Sequence, residues 1–418
     1  MSRDLDTLLR SCIECALCLP HCATYLATGD ETQSPRGRLL MLREALDYPA
    51  EIDPSVHDAF DLCLGCRACE TACPSGVPYD LLDAAKRLTD AVIGPPGSPI
   101  IRHLSSRPVL KALRLTGIAA RKTLSTAMGP TWRHRLANGP LSDISRRLGT
   151  LPTSPGDAAL IARLDALTGL NTASGALPKS SADTERAVTF FTGCANRDLL
   201  PDTQRRLLAL LDAAGVAVTI PDHQDCCGAL AAHTAEPNVA QARQARNVAS
   251  LAAAVAETGV LLTEAAGCGL ELGGYPESIA GTVVDATVYL SGLPMPSLRE
   301  VPLRVVYHDP CHSRHGQGIV AEPRALLERI PGVVMLEPEE ADVCCGSGGA
   351  YSLVHPELSE VMGRRKARFL TSTGADVIAT SNPGCLGQIR DAVALGDINL
   401  PVLPLSDLLW YAALSTRI

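Results

Sequence analysis

The sequence predicts a multidomain α+β protein: an α-helical N-terminal unit followed by two repeated α/β cysteine-rich lobes. Three observations carry this. The 16 cysteines fall into two groups of eight. The first eight form two identically spaced runs, the second ending at Cys73. The second eight recur as a duplicated pattern in which β-rich runs alternate with helical stretches.

The bulk composition agrees. With 418 residues, two to four domains are expected. Hydrophobic residues at 46% and charged residues at 20% give an ordinary globular balance. The net charge of −8 argues against a general nucleic-acid binder. No apolar run is long enough for a transmembrane helix. The start, MSRDLDTLLRSC, lacks the positive, then apolar, pattern of a signal peptide. A cytoplasmic location is expected, and clustered cysteines there read as metal ligands or catalytic groups.

The N-terminal unit, 1–93, is organised by its two runs. Cys12, Cys15, Cys18 and Cys22 form the first, and Cys63, Cys66, Cys69 and Cys73 the second. Both read C-x2-C-x2-C-x3-C, the bacterial ferredoxin-type spacing for [4Fe–4S] clusters. Three cysteines at steps of three can wrap one face of a compact cubane. In two-cluster ferredoxins the fourth ligates the other cluster. Applied here, one cluster takes Cys12, Cys15, Cys18 and Cys73, and the other takes Cys63, Cys66, Cys69 and Cys22. Thiolates are soft, strongly donating ligands that suit iron. Zinc prefers two separated C-x2-C pairs, so two complete runs disfavour it. One departure is that Ala23, not Pro, follows Cys22, whereas Pro74 follows Cys73. Between the runs, Ser34 to Leu46 predicts a helix, with Ser34 as its cap and Pro35 at its first position. Arg36 and Arg38 at its start either steady a cluster's negative charge, meet a partner, or lie solvated.

The segment 94–185 is a basic helical connector and linker. From Arg102 to Arg147 ten Arg and Lys face a single acid, Asp143. Interleaved apolar residues suggest amphipathic helices that lie on an anionic membrane, dock on an acidic partner, or brace two domains. Leu151 to Asp183 is rich in small and turn-forming residues and reads as a linker.

The lobes, 186–300 and 301–418, carry the duplication. Cys194, the pair Cys226 and Cys227, and Cys268 recur as Cys311, Cys344 and Cys345, and Cys385. Gly228 and Gly346 follow the pairs. Each copy opens on a β-rich run (AVTFFTGC, RVVYHDPC) and closes on an apolar run with Gly-Cys (GVLLTEAAGC, DVIATSNPGC). Parallel sheets bind cofactors beyond the C-terminal ends of their strands, and the cysteines fall there. The glycines permit positive φ and close approach to something bulky, which favours a cofactor. By count, four soft ligands per lobe fit an iron–sulfur cluster or zinc equally well. His308 either ligates or tunes a metal, or is a hydrogen-bonded histidine at a strand end.

Several stretches resemble a known family. SPRGR, CLGCRACETACPSGVPY, CCGSGGAYSLVHPEL and NPGC are similar to those of glycolate oxidase iron–sulfur subunits. The lobes resemble the cysteine-rich (CCG) domains of heterodisulfide reductases. The resemblance implies an electron-transfer subunit with two [4Fe–4S] clusters. FAD-binding glycolate oxidase subunits would oxidise glycolate to glyoxylate, with D-lactate as a second substrate. Electrons would pass to a quinone-type acceptor, with the chain peripheral on the cytoplasmic face of the inner membrane. The alternatives are the iron–sulfur subunit of an anaerobic glycerol-3-phosphate or lactate dehydrogenase, and a heterodisulfide reductase-like thiol–disulfide catalyst. The heterodisulfide reductase pattern ends in C-x2-C, whereas Glu271 and Gln388 stand three residues after Cys268 and Cys385. A further cluster or metal in one lobe, in both, or in neither therefore stays open. No strand–GxGxxG–helix unit is present, so hydroxy-acid oxidation is expected on a partner.

Overall fold

The computed structural model describes residues 5–48, 53–78, 160, 186–234, 236–295 and 297–413. The basic stretch from Arg102 to Arg147 lies outside the described residues, as does the linker apart from Leu160.

The N-terminal unit is helical. The helix expected from Ser34 runs over Pro35–Asp47, and Ser34 Oγ accepts from the Gly37 amide at 2.9 Å. Asp53 caps Pro54–Asp61 in the same way, accepting from Ser55 N at 2.7 Å. Each cap satisfies a donor that the first helical turn leaves unpaired. Proline at the first position costs nothing there, because its missing N–H would have no partner. Leu9, Leu39, Leu42, Val56 and Phe60 close a small core beneath the cysteine runs. A second apolar patch, Ala23 and Leu64, packs on Val343, Cys344, Tyr351 and Met362. The N-terminal unit is thereby seated on the second lobe.

Each lobe is a four-stranded parallel sheet. In the first lobe β1 (Arg186–Phe190), β2 (Val216–Thr219), β3 (Leu261–Thr263) and β4 (Val283–Asp285) take the order β2-β1-β3-β4. In the second, β5 (Arg304–Tyr307), β6 (Val334–Leu336), β7 (Val377–Thr380) and β8 (Val402–Pro404) take the order β6-β5-β7-β8. All pairings are parallel. The duplicated sequence thus folds into duplicated topology. The central strands are buried on both faces, as the continuous apolar runs LLT and VIAT require.

The two lobes pack by exchange. Pro201–Ala213, the first long helix of lobe 1, lies against Leu405–Ala413, the last helix of lobe 2. The last helix of lobe 1, Ala286–Ser291, lies against Ala321–Glu328, which follows β5. Like elements thus swap partners, as in a two-fold dimer built within one chain. Leu207, Leu210, Leu290, Leu326 and Leu409 form one core with residues of both sheets. Each such leucine contributes roughly 1.5–3 kcal/mol by burial.

Polar groups are buried in this seam. Arg206 donates to Asp407 at 2.5 Å. Glu264 accepts from Asn196 Nδ2 at 3.1 Å and from Ser406 Oγ. Burial raises the Glu264 pKa to about 7, and Asp407 and Asp285 push it the same way. The folded state therefore holds this proton more tightly than the unfolded chain. The resulting stability is complete below the ordinary glutamate range and is lost as pH rises through about 7. Between about pH 6 and pH 8 this group should cost about 1 kcal/mol. Glu264→Gln should flatten that fall. Thermal unfolding of the anaerobically purified protein at both pH values measures it, and an unchanged slope would exclude Glu264 as the cause.

Candidate iron–sulfur sites and the cysteine chamber

The two N-terminal runs share a backbone device. Glu14 (φ 58°) and Ala16 (φ 65°) in the first correspond to Gly65 (φ 65°) and Arg67 (φ 63°) in the second. Left-handed residues thus stand two and four places after the first cysteine of each run. They curl the loop so that its thiols converge. Three of these four residues carry a side chain, at a cost of roughly 1–2 kcal/mol each.

Cys12, Cys15, Cys18 and Cys73 line one cavity, with Cys69 at its wall. Cys22, Cys63, Cys66 and Cys69 line a second, beside Arg38. The fourth cysteine of each run therefore lies with the first three of the other. The thiols are crowded and partly desolvated. Burial lifts the Cys18 pKa to about 11. Burial also raises Cys69, helped by Cys63 and Cys22. Such thiols hold their protons until a metal displaces them.

Arg38 tests whether a [4Fe–4S] cluster fits. It is 1% exposed. Its guanidinium donates to Ala59 O at 2.6 Å, Gln33 Oε1 at 3.1 Å and Thr24 Oγ1 at 3.3 Å. All three acceptors are neutral. Burial alone would lower its pKa, but negative charge on the Cys63 and Cys22 sulfurs, as thiolates, and a hydrogen bond to Cys22 outweigh it. A buried cation calls for an anionic neighbour, and a thiolate-bound cluster is one. The solvated alternative therefore fails for Arg38. Arg36 is nearer the surface, donating to Glu14 O at 3.0 Å and pairing with Glu31.

All eight lobe cysteines line a single chamber of about 170 Å³ at the meeting of the two lobes, with Leu64 of the N-terminal unit also in its wall. None is in a disulfide. The Cys194 and Cys226 sulfurs are 3.5 Å apart, and those of Cys311 and Cys344 3.8 Å. Hydrogen bonds from Cys194 and Cys227 lower the Cys226 pKa, while Cys194 and Cys227 themselves are raised.

Two expectations need correction. Gly228 (φ 102°) and Gly346 (φ 85°) do adopt positive φ. The close approach at Gly346, however, is to a helix. A Cβ there would lie 2.7 Å from Met362 Cβ and 3.1 Å from Ser359 O. At Gly228 it would meet Ala240 O at 3.4 Å. Gly346 admits a helix behind its pair, while at Gly228 the contact is an ordinary one and the positive φ alone calls for glycine, so neither carries an argument for a cofactor. Nor is the His308 ring hydrogen-bonded. The backbone N–H of His308 donates to Ala379 O at 2.8 Å, but among the described residues neither ring nitrogen has a partner. Its imidazole, Cys345 and Cys385 place donor atoms all within 4.8 Å of one another. Burial holds the imidazole neutral. Gln388, at one missing-cysteine position, donates to Ser359 O at 2.8 Å and serves packing.

Sequence reasoning missed the histidines that dock the N-terminal unit on lobe 2. His312 Nε2 donates to Gly65 O at 3.2 Å. His315 bonds Thr71 Oγ1 and Asp342 O, each at 2.7 Å. His21 pairs with the Asp342 carboxylate, and His355 with Asp61 at 3.2 Å. Cys66 is close enough to Cys311 for that thiol, after burial itself, to raise its pKa.

Two known domain families match this chain. Residues 8–77 match the 4Fe-4S dicluster domain family, and 188–273 and 305–390 each match the cysteine-rich domain family. A probable glycolate oxidase iron-sulfur subunit of Bacillus subtilis is 33% identical over 97% of this chain and 94% of its own length. This chain belongs to the glycolate oxidase iron–sulfur subunit family. The Escherichia coli glycolate oxidase iron-sulfur subunit is 28% identical over 93% of this chain and 91% of its own. A fumarate reductase (CoM/CoB) subunit of Methanothermobacter marburgensis is 27% identical over 96% of this chain and 72% of its own. Membership implies an iron–sulfur oxidoreductase subunit with a flavin-containing partner.

The exchange of fourth cysteines can be tested by combining substitutions. Cys22→Ala should cost about four irons per chain. Adding Cys63→Ala should cost no more, whereas adding Cys12→Ala should remove about four further irons. Iron and acid-labile sulfide analysis of anaerobically purified protein measures this. If the Cys22 and Cys12 losses overlap instead, the exchanged grouping is wrong. Arg38→Met should lower iron retention on dilution while leaving Cys12-side iron in place.

Proposed function

We propose that this chain carries electrons from an FAD-binding partner, which oxidises glycolate to glyoxylate, to a quinone-type acceptor at the membrane. D-lactate is a second substrate of the same partner. The proposal assigns Cys12, Cys15, Cys18 and Cys73 to one [4Fe–4S] cluster and Cys22, Cys63, Cys66 and Cys69 to another. When bound, such clusters supply one-electron redox chemistry. The observation that carries the proposal is spatial sequence: the first cavity shares Cys69 with the second, and Cys66 of the second neighbours Cys311 and Cys344.

The chain's own residues support this role. Arg38 offsets the negative charge of the second site. Leu64, Val343 and Met362 exclude water between that site and Cys344. His312, through Gly65 O, and His315, through Thr71 Oγ1, hold the N-terminal unit in register on lobe 2. Among the described residues no helix is long and apolar enough to cross a membrane. Attachment to the cytoplasmic face of the inner membrane is part of the proposal, with the basic segment from Arg102 to Arg147 as its candidate contact.

A second reading has an observation of its own. Eight cysteines around one chamber also suit a thiol–disulfide reaction in the lobes. Reduced protein would then reduce an added disulfide, and Cys344→Ser would abolish this.

One variant tests the main proposal. In the assembled complex, Cys66→Ser should leave flavin reduction by glycolate intact and abolish quinone reduction. The two rates are read by flavin absorbance and by quinone-analogue bleaching. Quinone reduction at the wild-type rate would place Cys66 off the path.

A further inference from the structure

The two lobes differ at one place that matters chemically. Three residues before the first cysteine of each copy stand Phe191 in lobe 1 and His308 in lobe 2. Both follow the first strand of their sheet and both are buried, at 1% and 2% exposure. Phe191 packs in an apolar cluster with Cys194, Cys226 and Cys227. His308 replaces that ring with an imidazole whose two nitrogens find no partner among the described residues.

An imidazole buried without a hydrogen bond is costly, and buried polar groups nearly always have partners. Its backbone is fixed on both sides: the His308 N–H bonds Ala379 O, and its carbonyl accepts from Thr380 Oγ1 at 3.1 Å. The ring is therefore held beside the cysteines by the strand and cannot swing freely to solvent. What it meets is Cys345 and Cys385, with all three donor atoms within 4.8 Å of one another. Two thiolates and an imidazole are a donor set for iron or zinc. No carboxylate stands in this trio, so hard cations are disfavoured.

We infer that His308 is a nitrogen ligand, together with Cys345 and Cys385, to an iron-containing centre in lobe 2 that lobe 1 cannot reproduce. The inference rests on the proposed iron–sulfur role and goes beyond it, because it makes the duplicated lobes inequivalent. Imidazole in place of thiolate raises the potential of an iron–sulfur centre. The lobe 2 centre would then lie above the all-cysteine clusters and accept electrons from them.

The test uses the full chain, labelled with ¹⁵N-histidine and purified anaerobically. Pulsed EPR of the oxidised and reduced protein should show histidine nitrogen coupled to an iron centre. His308→Phe, which copies lobe 1, should abolish that coupling and reduce iron to the complement of the two N-terminal clusters. Their unchanged EPR signals would report intact folding. His308→Cys should keep the iron, lose the coupling and lower the midpoint potential of the centre. Coupling that persists in His308→Phe would overturn the inference. More than about eight irons per chain with no histidine coupling in the unsubstituted protein would overturn the His308 assignment alone. Iron limited to about eight, or zinc without extra sulfide, would overturn both the assignment and any lobe cluster.

Discussion

The apolar seam between the two lobes is the constraint on which the rest depends. A parallel sheet gathers functional loops at one end of its strands, but a single lobe gathers only four cysteines there. The exchanged packing of Pro201–Ala213 on Leu405–Ala413, and of Ala286–Ser291 on Ala321–Glu328, turns the two strand ends toward each other. Only then do eight thiols line one chamber. The N-terminal unit docks on lobe 2 at this same cysteine end, where Leu64 joins the chamber wall and His312 bonds Gly65 O. The seam accepts a penalty for this geometry in Glu264, Asp285 and Asp407, three carboxylates under one apolar cover whose pKa values burial raises.

Electrostatics then differentiates the sites. Of the two N-terminal cavities, the second has a buried cation, Arg38, in its wall. The chamber has Lys366 near the Cys344–Cys345 pair, its charge weakened by burial and sustained by those sulfurs. In lobe 1 the cation beside the pair is Arg243, which helps to lower the Cys226 pKa. The duplication has therefore kept its skeleton of strands and cysteines while changing what surrounds the sulfur.

Much of this was legible in the sequence. The Cys runs marked out the N-terminal unit, because cluster ligation imposes a spacing that little else produces. Ser34 and Pro35 marked a helix start because capping is local chemistry. The parallel sheets followed from β-rich runs alternating with helical stretches. The docking histidines were not legible, since His21 meets Asp342 across more than three hundred residues of chain and neither belongs to a recognisable motif. The purpose of Gly228 and Gly346 was misread for a similar reason. Positive φ can be anticipated from glycine, but what lies against the missing side chain is a tertiary fact. His308 had a signal that duplication makes available: its counterpart is Phe191, and a polar residue at an apolar position of a repeat marks divergence.

The left-handed residues and Arg38 have a joint consequence for how the protein is made. Loops bent through Glu14, Ala16 and Arg67 and a guanidinium buried among neutral oxygen acceptors both oppose the ordered state of residues 5–48 and 53–78. Bonds from sulfur to metal, worth many times either cost, oppose them in turn. Under the proposed cluster assignment, delivery of the inorganic core and acquisition of tertiary order in this region become coupled, so that a shortage of iron or sulfide would expose the chain to proteases.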